Sequence, residues 1–175
     1  MIDNDFREIL ADSSRKLADI AALYALEEPA RIRNLVDLIL ADEYPHSSRA
    51  ARVLSICSEK FPEIVEKLQN QIFSAIPNIN SEGVIRNLLK IAADYPVKLT
   101  AKNKGILTGL CFDWLSDISK PVAIRVHAMQ LLYKISQTEK DIKPELISIL
   151  EEQYADGSMG FRSRADRILK KLYRN

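Results

Sequence analysis

The chain has 175 residues, of which 47% are hydrophobic and 28% are charged, with only 5 glycines and 7 prolines. This composition excludes a disordered or collagen-like chain, and the length fits a single domain, residues 1–175, that can bury a core. The 25 Lys and Arg residues nearly balance the 24 Asp and Glu residues, which leaves a net charge of +1. The overall charge therefore gives no reason to expect nucleic acid or an anionic membrane as a partner.

The start of the chain, its longest apolar run and its cysteines together predict a cytoplasmic protein. The acidic start of the chain, residues 1–7, lacks the basic and apolar segments of an export signal. The longest apolar run, Gly105–Leu115, is interrupted by polar residues and is too short to cross a bilayer. Cys57 and Cys111 lie in apolar helical contexts with no partner at metal-ligand spacing, which predicts buried, unreactive free thiols in a reducing compartment.

Apolar residues recur every three or four positions along the chain, which predicts helices throughout and no strands. Prolines and loop residues divide the pattern into about nine helices. In chain order the apolar residues of the first eight span Leu17–Tyr24, Ile32–Ile39, Ala50–Phe61, Ile64 or Val65 to Ile76, Val84–Tyr95, Leu99–Ile118, Ile124–Ile135 and Leu146–Tyr154. The ninth helix runs from about Gly160 to Tyr173. Ser47 or Ser48 is placed to cap the third helix and Asp141 the eighth. Gly105 and Gly109 share one face of the sixth helix, which favours a close contact between helices.

The helices repeat one another. The run Ser48–Leu54, SRAARVL, matches the run Ser163–Leu169, SRADRIL. Alignment on these runs gives four equivalent positions, Ala50, Val84, Ala128 and Ala165, separated by 34, 44 and 37 residues. Such spacing is the length of a helical hairpin repeat, and the small residue predicts a tight helix crossing at each of these positions.

The chain resembles the HEAT and armadillo repeat superfamily. The feature that carries the resemblance is an Arg-x-x-Ala-x-x-x-Leu run at the start of a helix, as in Arg125–Leu132 and again in Phe161–Leu169. The resemblance covers most of the chain from Arg31 onward. It implies an all-α, right-handed α-α superhelix, a solenoid of about four helical pairs followed by a terminal helix.

Members of this superfamily are chiefly scaffolds that bind proteins, and some bind nucleic acid. The resemblance therefore implies a non-enzymatic scaffold that binds a protein partner on its concave surface. The candidate concave helices are those that hold Arg31–Ala41, Glu63–Ile76, Lys98–Ile118 and Lys143–Tyr154. The alternative is a nucleic-acid-binding protein similar to the helical-repeat enzymes of DNA alkylation repair.

Residues suited to catalysis are scarce. His46 and His127 are the two histidines, and neither lies at metal-ligand spacing from another His or from Cys. The chain has no glycine-rich phosphate loop and no nucleophile elbow. We therefore expect no catalytic residues, no cofactor and no metal. Asp113 and Trp114 are an alternative groove site, because the repair enzymes pair a carboxylate with aromatic residues, although a single Trp is more typical of core packing.

Basic residues are concentrated in two places. Residues 159–175 carry six basic residues and one acidic residue. Together with lysines near residue 100 they form a candidate basic patch for phosphate groups, which consists of Lys98, Lys102, Lys104, Arg162, Arg164, Arg167, Lys170 and Lys171. The other interpretation is that the last helix is basic because a terminal repeat must present a polar face to solvent.

Overall fold

The computed structural model of the protein describes residues 4–174, with side chains from residue 6. The described residues contain ten α-helices, two 3₁₀ turns and no strand, so the prediction of an all-helical fold is confirmed. The chain divides into two compact units, Met1–Leu99 (unit 1) and Thr100–Asn175 (unit 2). The single domain expected from the length stays a prediction.

Unit 1 is built around a central helix. Its elements are α1 (Asn4–Ile9), α2 (Arg15–Glu27), α3 (Pro29–Leu40), α4 (His46–Lys60), α5 (Glu63–Ala75), a 3₁₀ turn (Ile76–Asn78) and α6 (Glu82–Asp94). Helix α4 packs closely against α2, α3 and α6, whereas α3 and α5 contact each other only lightly. Unit 1 therefore has a tight layer of α2, α4 and α6 and a looser layer of α3 and α5.

Unit 2 repeats this arrangement with fewer helices. Its elements are α7 (Ala101–Ser116), α8 (Val122–Ser136), a 3₁₀ turn (Lys140–Ile142), α9 (Lys143–Glu152) and α10 (Met159–Leu172). Helix α8 packs closely against α7 and α10, whereas α7 and α9 contact each other only lightly. The aligned repeat positions of both units, Ala50, Val84, Ala128 and Ala165, have no exposed surface, as a tight crossing requires.

The short helix α1 is absent from the sequence prediction. Its six residues are too few to display a helical period, and a helix this short is stable only when it packs on other elements. The packing comes from Phe6, which is fully buried and meets the Tyr24 ring edge to face at 5.2 Å, and from Leu10 just beyond the helix.

Two capping predictions are wrong. Helix α4 begins two or three residues earlier than a cap at Ser47 or Ser48 would place it, directly after Pro45, so both serines lie in its first turn and neither caps it. Asp141 lies in the 3₁₀ turn before α9, whose N-cap position is Ile142. Pro144 in the first turn of α9 lacks an N–H group, and the helix therefore has one donor fewer to satisfy at that end. Side-chain caps occur instead at Ser14, Thr100 and Ser158.

The contact predicted for Gly105 and Gly109 is also wrong. Both residues are exposed, and a Cβ atom added at either would meet no atom within 4 Å. Spacing by four residues places two glycines on one face but does not say which face is buried. The close approach occurs at Gly83 of α6, where an added Cβ would lie 2.5 Å from the Ser48 Oγ atom and 2.9 Å from its Cβ atom.

Four residues assigned to apolar stripes, Ile20, Phe61, Ile118 and Tyr154, face solvent. They are 43%, 42%, 78% and 38% exposed, and Tyr154 lies two residues beyond the end of α9. Phe61 and Ile118 lie just beyond the last residues of α4 and α7, where the helical periodicity no longer fixes the direction of the side chain.

Candidate functional site

The looser layer of unit 1 contains an open apolar groove between α3 and α5, with a volume of about 300 Å³. We call it the α3/α5 groove. It is lined by Leu26, Glu28, Pro29, Ile32, Arg33, Ile64, Lys67 and Leu68. The volume is at the low end of the range for small-molecule sites, which is about 300 to 1,000 Å³.

The helical period explains why the groove is apolar. Helix α5 buries Val65 and Ile72 in the unit and leaves Ile64 and Leu68, four residues apart, half-buried along its edge. On the opposite wall, Ile32 of α3 lines the groove and is 6% exposed. The light contact between α3 and α5 leaves this strip of side chains uncovered.

The rim of the groove carries an excess of positive charge. Its acidic residue, Glu28, is paired with Arg31 at 3.2 Å, and Arg31 also pairs with Glu27 and stacks over the Tyr24 ring at 3.8 Å. The two basic residues of the rim, Arg33 and Lys67, are exposed. Neither forms an ion pair with any carboxylate among residues 6–174.

The residues of the predicted basic patch are divided between the two units. Lys98 is an exposed residue of unit 1, and the other seven belong to unit 2. In α7, Lys102 is exposed, whereas Lys104 donates a hydrogen bond to Glu139 at 2.8 Å. This bond and the charge of Lys104 hold the pKa of the Glu139 carboxyl below its ordinary value.

Helix α10 presents most of its basic residues to solvent, on both sides of its contact with α8. Arg162 and Arg167 are exposed, and Lys170 pairs with Asp166 of the same helix at 2.7 Å. Two further residues reach α8: Arg164 donates a hydrogen bond to Gln130 at 2.8 Å, and the Lys171 ammonium lies 5.4 Å from the centre of the Tyr133 ring. The structure therefore joins this part of the patch to polar and aromatic residues that the sequence did not single out.

The alternative groove site, Asp113 and Trp114, lies near the end of α7. Asp113 is exposed and Trp114 is half-buried. Asp113 has no hydrogen-bonding partner among the described side chains, so its role in a repair-like groove stays a prediction.

Unit 2 contains a second cavity, of about 610 Å³, with the Arg125 side chain in its wall. Arg125 is 6% exposed, donates a hydrogen bond to the Gln153 side chain, and lies 4.5 Å over the Phe161 ring. Burial lowers the pKa of its guanidinium group, although nearby Asp117 opposes this effect. Because Glu152 and Asp156 also line the cavity, its charges are mixed and favour no single class of ligand.

The two thiols are free and buried. The Cys57 Sγ atom lies 3.7 Å from the Ala22 carbonyl oxygen, and burial raises the pKa of this thiol to about 12. Burial raises the pKa of the Cys111 thiol as well. Across the described range, no group of three or more His, Cys, Asp and Glu residues is arranged to hold a metal ion. No helix among residues 4–174 is long and apolar enough to cross a membrane.

The repeated helical pairs and their buried small residues agree with the comparison with known families. A family model described as a HEAT repeat domain matches residues 6–172. The chain belongs to the HEAT repeat family. No curated protein and no solved structure matches this HEAT repeat chain significantly.

Sequence reasoning missed the α3/α5 groove of this HEAT repeat protein. The sequence assigns Leu68, together with Ile64 or Val65, to an apolar stripe, and a stripe is ordinarily buried. The available signal was the width of that stripe: α5 also buries Val65, Ile72 and Phe73, so its apolar surface extends beyond what one interface can cover.

Proposed function

We propose that this HEAT repeat protein is a non-enzymatic scaffold that binds a protein partner, and that the α3/α5 groove is its partner-binding surface. The observation that carries the proposal is an uncovered strip of Leu and Ile side chains with charged residues at its edges. Exposed apolar surface rimmed by polar groups is typical of protein interaction sites. The groove lies on Arg31–Ala41 and Glu63–Ile76, two of the segments expected to face the concave side.

The experiment uses the wild-type protein and two variants as baits and compares which proteins each of them captures from a native cell lysate. Leu68→Glu places a charge in the groove, while Arg86→Glu changes an exposed residue of α6 in the other layer of unit 1. A captured protein is then purified and its affinity measured by calorimetry. We expect Leu68→Glu to weaken binding at least about tenfold, because an anchor in the centre of an interface contributes about 2 kcal/mol or more, and Arg86→Glu to leave binding unchanged. Equal binding by all three proteins would contradict the groove as the site.

A second candidate function is nucleic-acid binding, and the exposed basic face of α10 is the observation that favours it. Phosphate contacts make affinity fall with salt, by about 0.9 in log affinity per contact on a log salt scale. The test substitutes Gln for Arg162, Arg167 and Lys170, which are exposed; the hydrogen bonds and ion pair of Arg167 and Lys170 lie within α10. Nucleic-acid binding predicts submicromolar affinity for duplex DNA near physiological salt and a flatter salt dependence in the triple variant. The scaffold predicts only nonspecific binding, about 10⁻⁴ to 10⁻⁶ M.

A cytoplasmic location belongs to the same proposal and is supported by the two free thiols, since oxidising compartments favour disulfides. Fractionation of the native host cells, with detection of the protein by antibody, would test it.

A further inference from the structure

We infer that the occupant of the α3/α5 groove is an amphipathic α-helix of the partner, with acidic side chains on both edges of its apolar face. This inference rests on the proposed function and deepens it, because it names the chemistry of the partner. It follows from three features of the groove: the nature of its walls, the charge of its rim and its size.

The walls favour a helix over an extended strand. They consist largely of side chains from α3 and α5, with a smaller part from the end of α2 and the turn between α2 and α3, and the backbone groups inside these helices are hydrogen-bonded within each helix. A strand laid against apolar side chains would bury N–H and C=O groups with no partner, which is costly. A helix satisfies these groups internally and presents only side chains to the groove.

The positive charge of the rim favours a partner helix with acidic residues on both edges of its apolar face. Glu28 already pairs with Arg31, which it shares with Glu27, whereas Arg33 on the α3 wall and Lys67 on the α5 wall have no carboxylate partner in the described part of the chain, so the charges that line the groove sum to +1. One basic residue therefore stands on each side of the apolar strip. A partner helix complements this pattern when acidic residues flank its apolar face on both sides, and a helix with basic edges is repelled.

The size of the groove limits the length of helix that it can hold. A volume of about 300 Å³ accommodates a few large side chains, and anchors at positions i, i+3, i+4 and i+7 span about two helical turns. An interface of this size is small for a stable complex, so we expect an affinity in the micromolar range.

The probe is a synthetic, fluorescein-labelled amphipathic peptide of about 14 residues, with Leu at positions i, i+3, i+4 and i+7 and Glu on both edges of that stripe. One matched control replaces each Glu by Lys. A second control keeps the composition but distributes the Leu residues around the helix. With the full chain, we expect fluorescence anisotropy to give saturable binding of the Glu peptide, at least about tenfold weaker binding of the Lys peptide, and no saturation with the scrambled peptide.

Charge reversal in the protein provides the decisive measurement. Arg33→Glu and Lys67→Glu should each weaken binding of the Glu peptide about two- to fivefold, as expected for partly exposed ion pairs. Both variants should bind the Lys peptide more tightly than the wild-type protein does. Loss of fold cannot produce this exchange of preference. Arg86→Glu in α6 is the matched control and should alter neither peptide, while Leu68→Ser should weaken both.

The outcomes separate this inference from the proposed function. Equal affinity for the Glu and Lys peptides would contradict the inference that the partner helix has acidic edges. Failure of every helical peptide, while Leu68→Glu still abolishes binding of a captured protein, would overturn the helix and leave the scaffold standing. If Leu68→Glu changes neither the peptides nor the captured protein, both the inference and the groove as the partner site are wrong.

Discussion

Helices α4 and α10 carry nearly the same seven-residue run but occupy different surroundings. Helix α4 is covered by α2, α3 and α6, whereas α10 packs on α8 and α9 and leaves a broad face exposed. The small residue of the run, Ala50 or Ala165, is fully buried in both helices. The run therefore determines which face packs, whatever covers the rest of the helix.

The polar positions of the run depend on the neighbours instead. In α4, Arg49 and Arg52 donate hydrogen bonds to the carbonyl oxygens of Leu10 and Ser13, at 2.7 and 2.8 Å. In α10, the residue equivalent to Arg52 is Arg167, which bonds the Ser163 carbonyl oxygen of its own helix at 3.1 Å. Arg52 thus binds a neighbouring segment, whereas Arg167 bonds only within α10. The other pair behaves alike, since Arg164, the equivalent of Arg49, also reaches a neighbouring helix through Gln130 at 2.8 Å.

The largest expected effect is a loss of stability when the shared small residue is replaced by Arg. It tests whether this loss depends on how many helices surround the substituted helix. Ala50→Arg should lower the free energy of unfolding by about 4 kcal/mol, because overpacking and an unpaired buried charge act together. Ala165→Arg should cost about 1 to 3 kcal/mol, since a helix covered on fewer sides can shift to accommodate the side chain. Ala128→Arg in α8 should resemble Ala50→Arg. Urea unfolding monitored by circular dichroism measures all three, and equal losses at positions 50 and 165 would remove the distinction.

The contact between Ser48 and Gly83 gives the next largest effect. In α4, Ser48 faces α6 and its hydroxyl lies 2.8 Å from the Ser81 hydroxyl, while the equivalent Ser163 of α10 is exposed. Gly83→Ala should destabilise the protein by about 1 to 3 kcal/mol, because the new Cβ atom overlaps Ser48. The double variant Ser48→Gly/Gly83→Ala should lose less than the sum of the single variants, and strict additivity in urea melts would refute the contact.

The reactivity of thiols provides a comparison between the carboxyl ends of α4 and α10. Cys57 of α4 corresponds to Leu172 of α10, and both are nearly inaccessible. Because burial raises the pKa of Cys57 to about 12 and α4 is enclosed, Cys57 should resist thiol reagents until the protein unfolds. A cysteine introduced by Leu172→Cys lies at a helix end, where local opening is easier, and should react at least about tenfold faster. Mass spectrometry of labelled native protein identifies each site, and stoichiometric labelling of Cys57 or Cys111 would contradict the prediction.

The sequence predicted what periodicity controls and missed what depends on partners. The helical class and the buried positions 50, 84, 128 and 165 follow from residue spacing alone. Helix α1 was missed because its stability comes from the packing of Phe6 on Tyr24, which no local pattern records. The α3/α5 groove was missed for a related reason: the half-burial of Ile64 and Leu68 depends on how lightly α3 meets α5, and an apolar stripe looks the same whether it is covered or open.

The smallest expected effect concerns Gly105 and Gly109, the exposed counterparts of Gly83. Both lie inside α7, and a methyl group added at either position meets no atom within 4 Å. An unfolded chain loses more conformational freedom when it orders Gly than when it orders Ala, so each Gly→Ala change should stabilise the protein by about 0.5 to 1 kcal/mol. The sign is opposite to that of Gly83→Ala, although all three changes add the same methyl group to a helix. Urea melts of Gly105→Ala, Gly109→Ala and the double variant measure it, and the two gains should be roughly additive, since neither methyl group touches a neighbouring side chain. A loss of stability in either single variant would mean that this face of α7 is covered, as the spacing of the glycines first indicated.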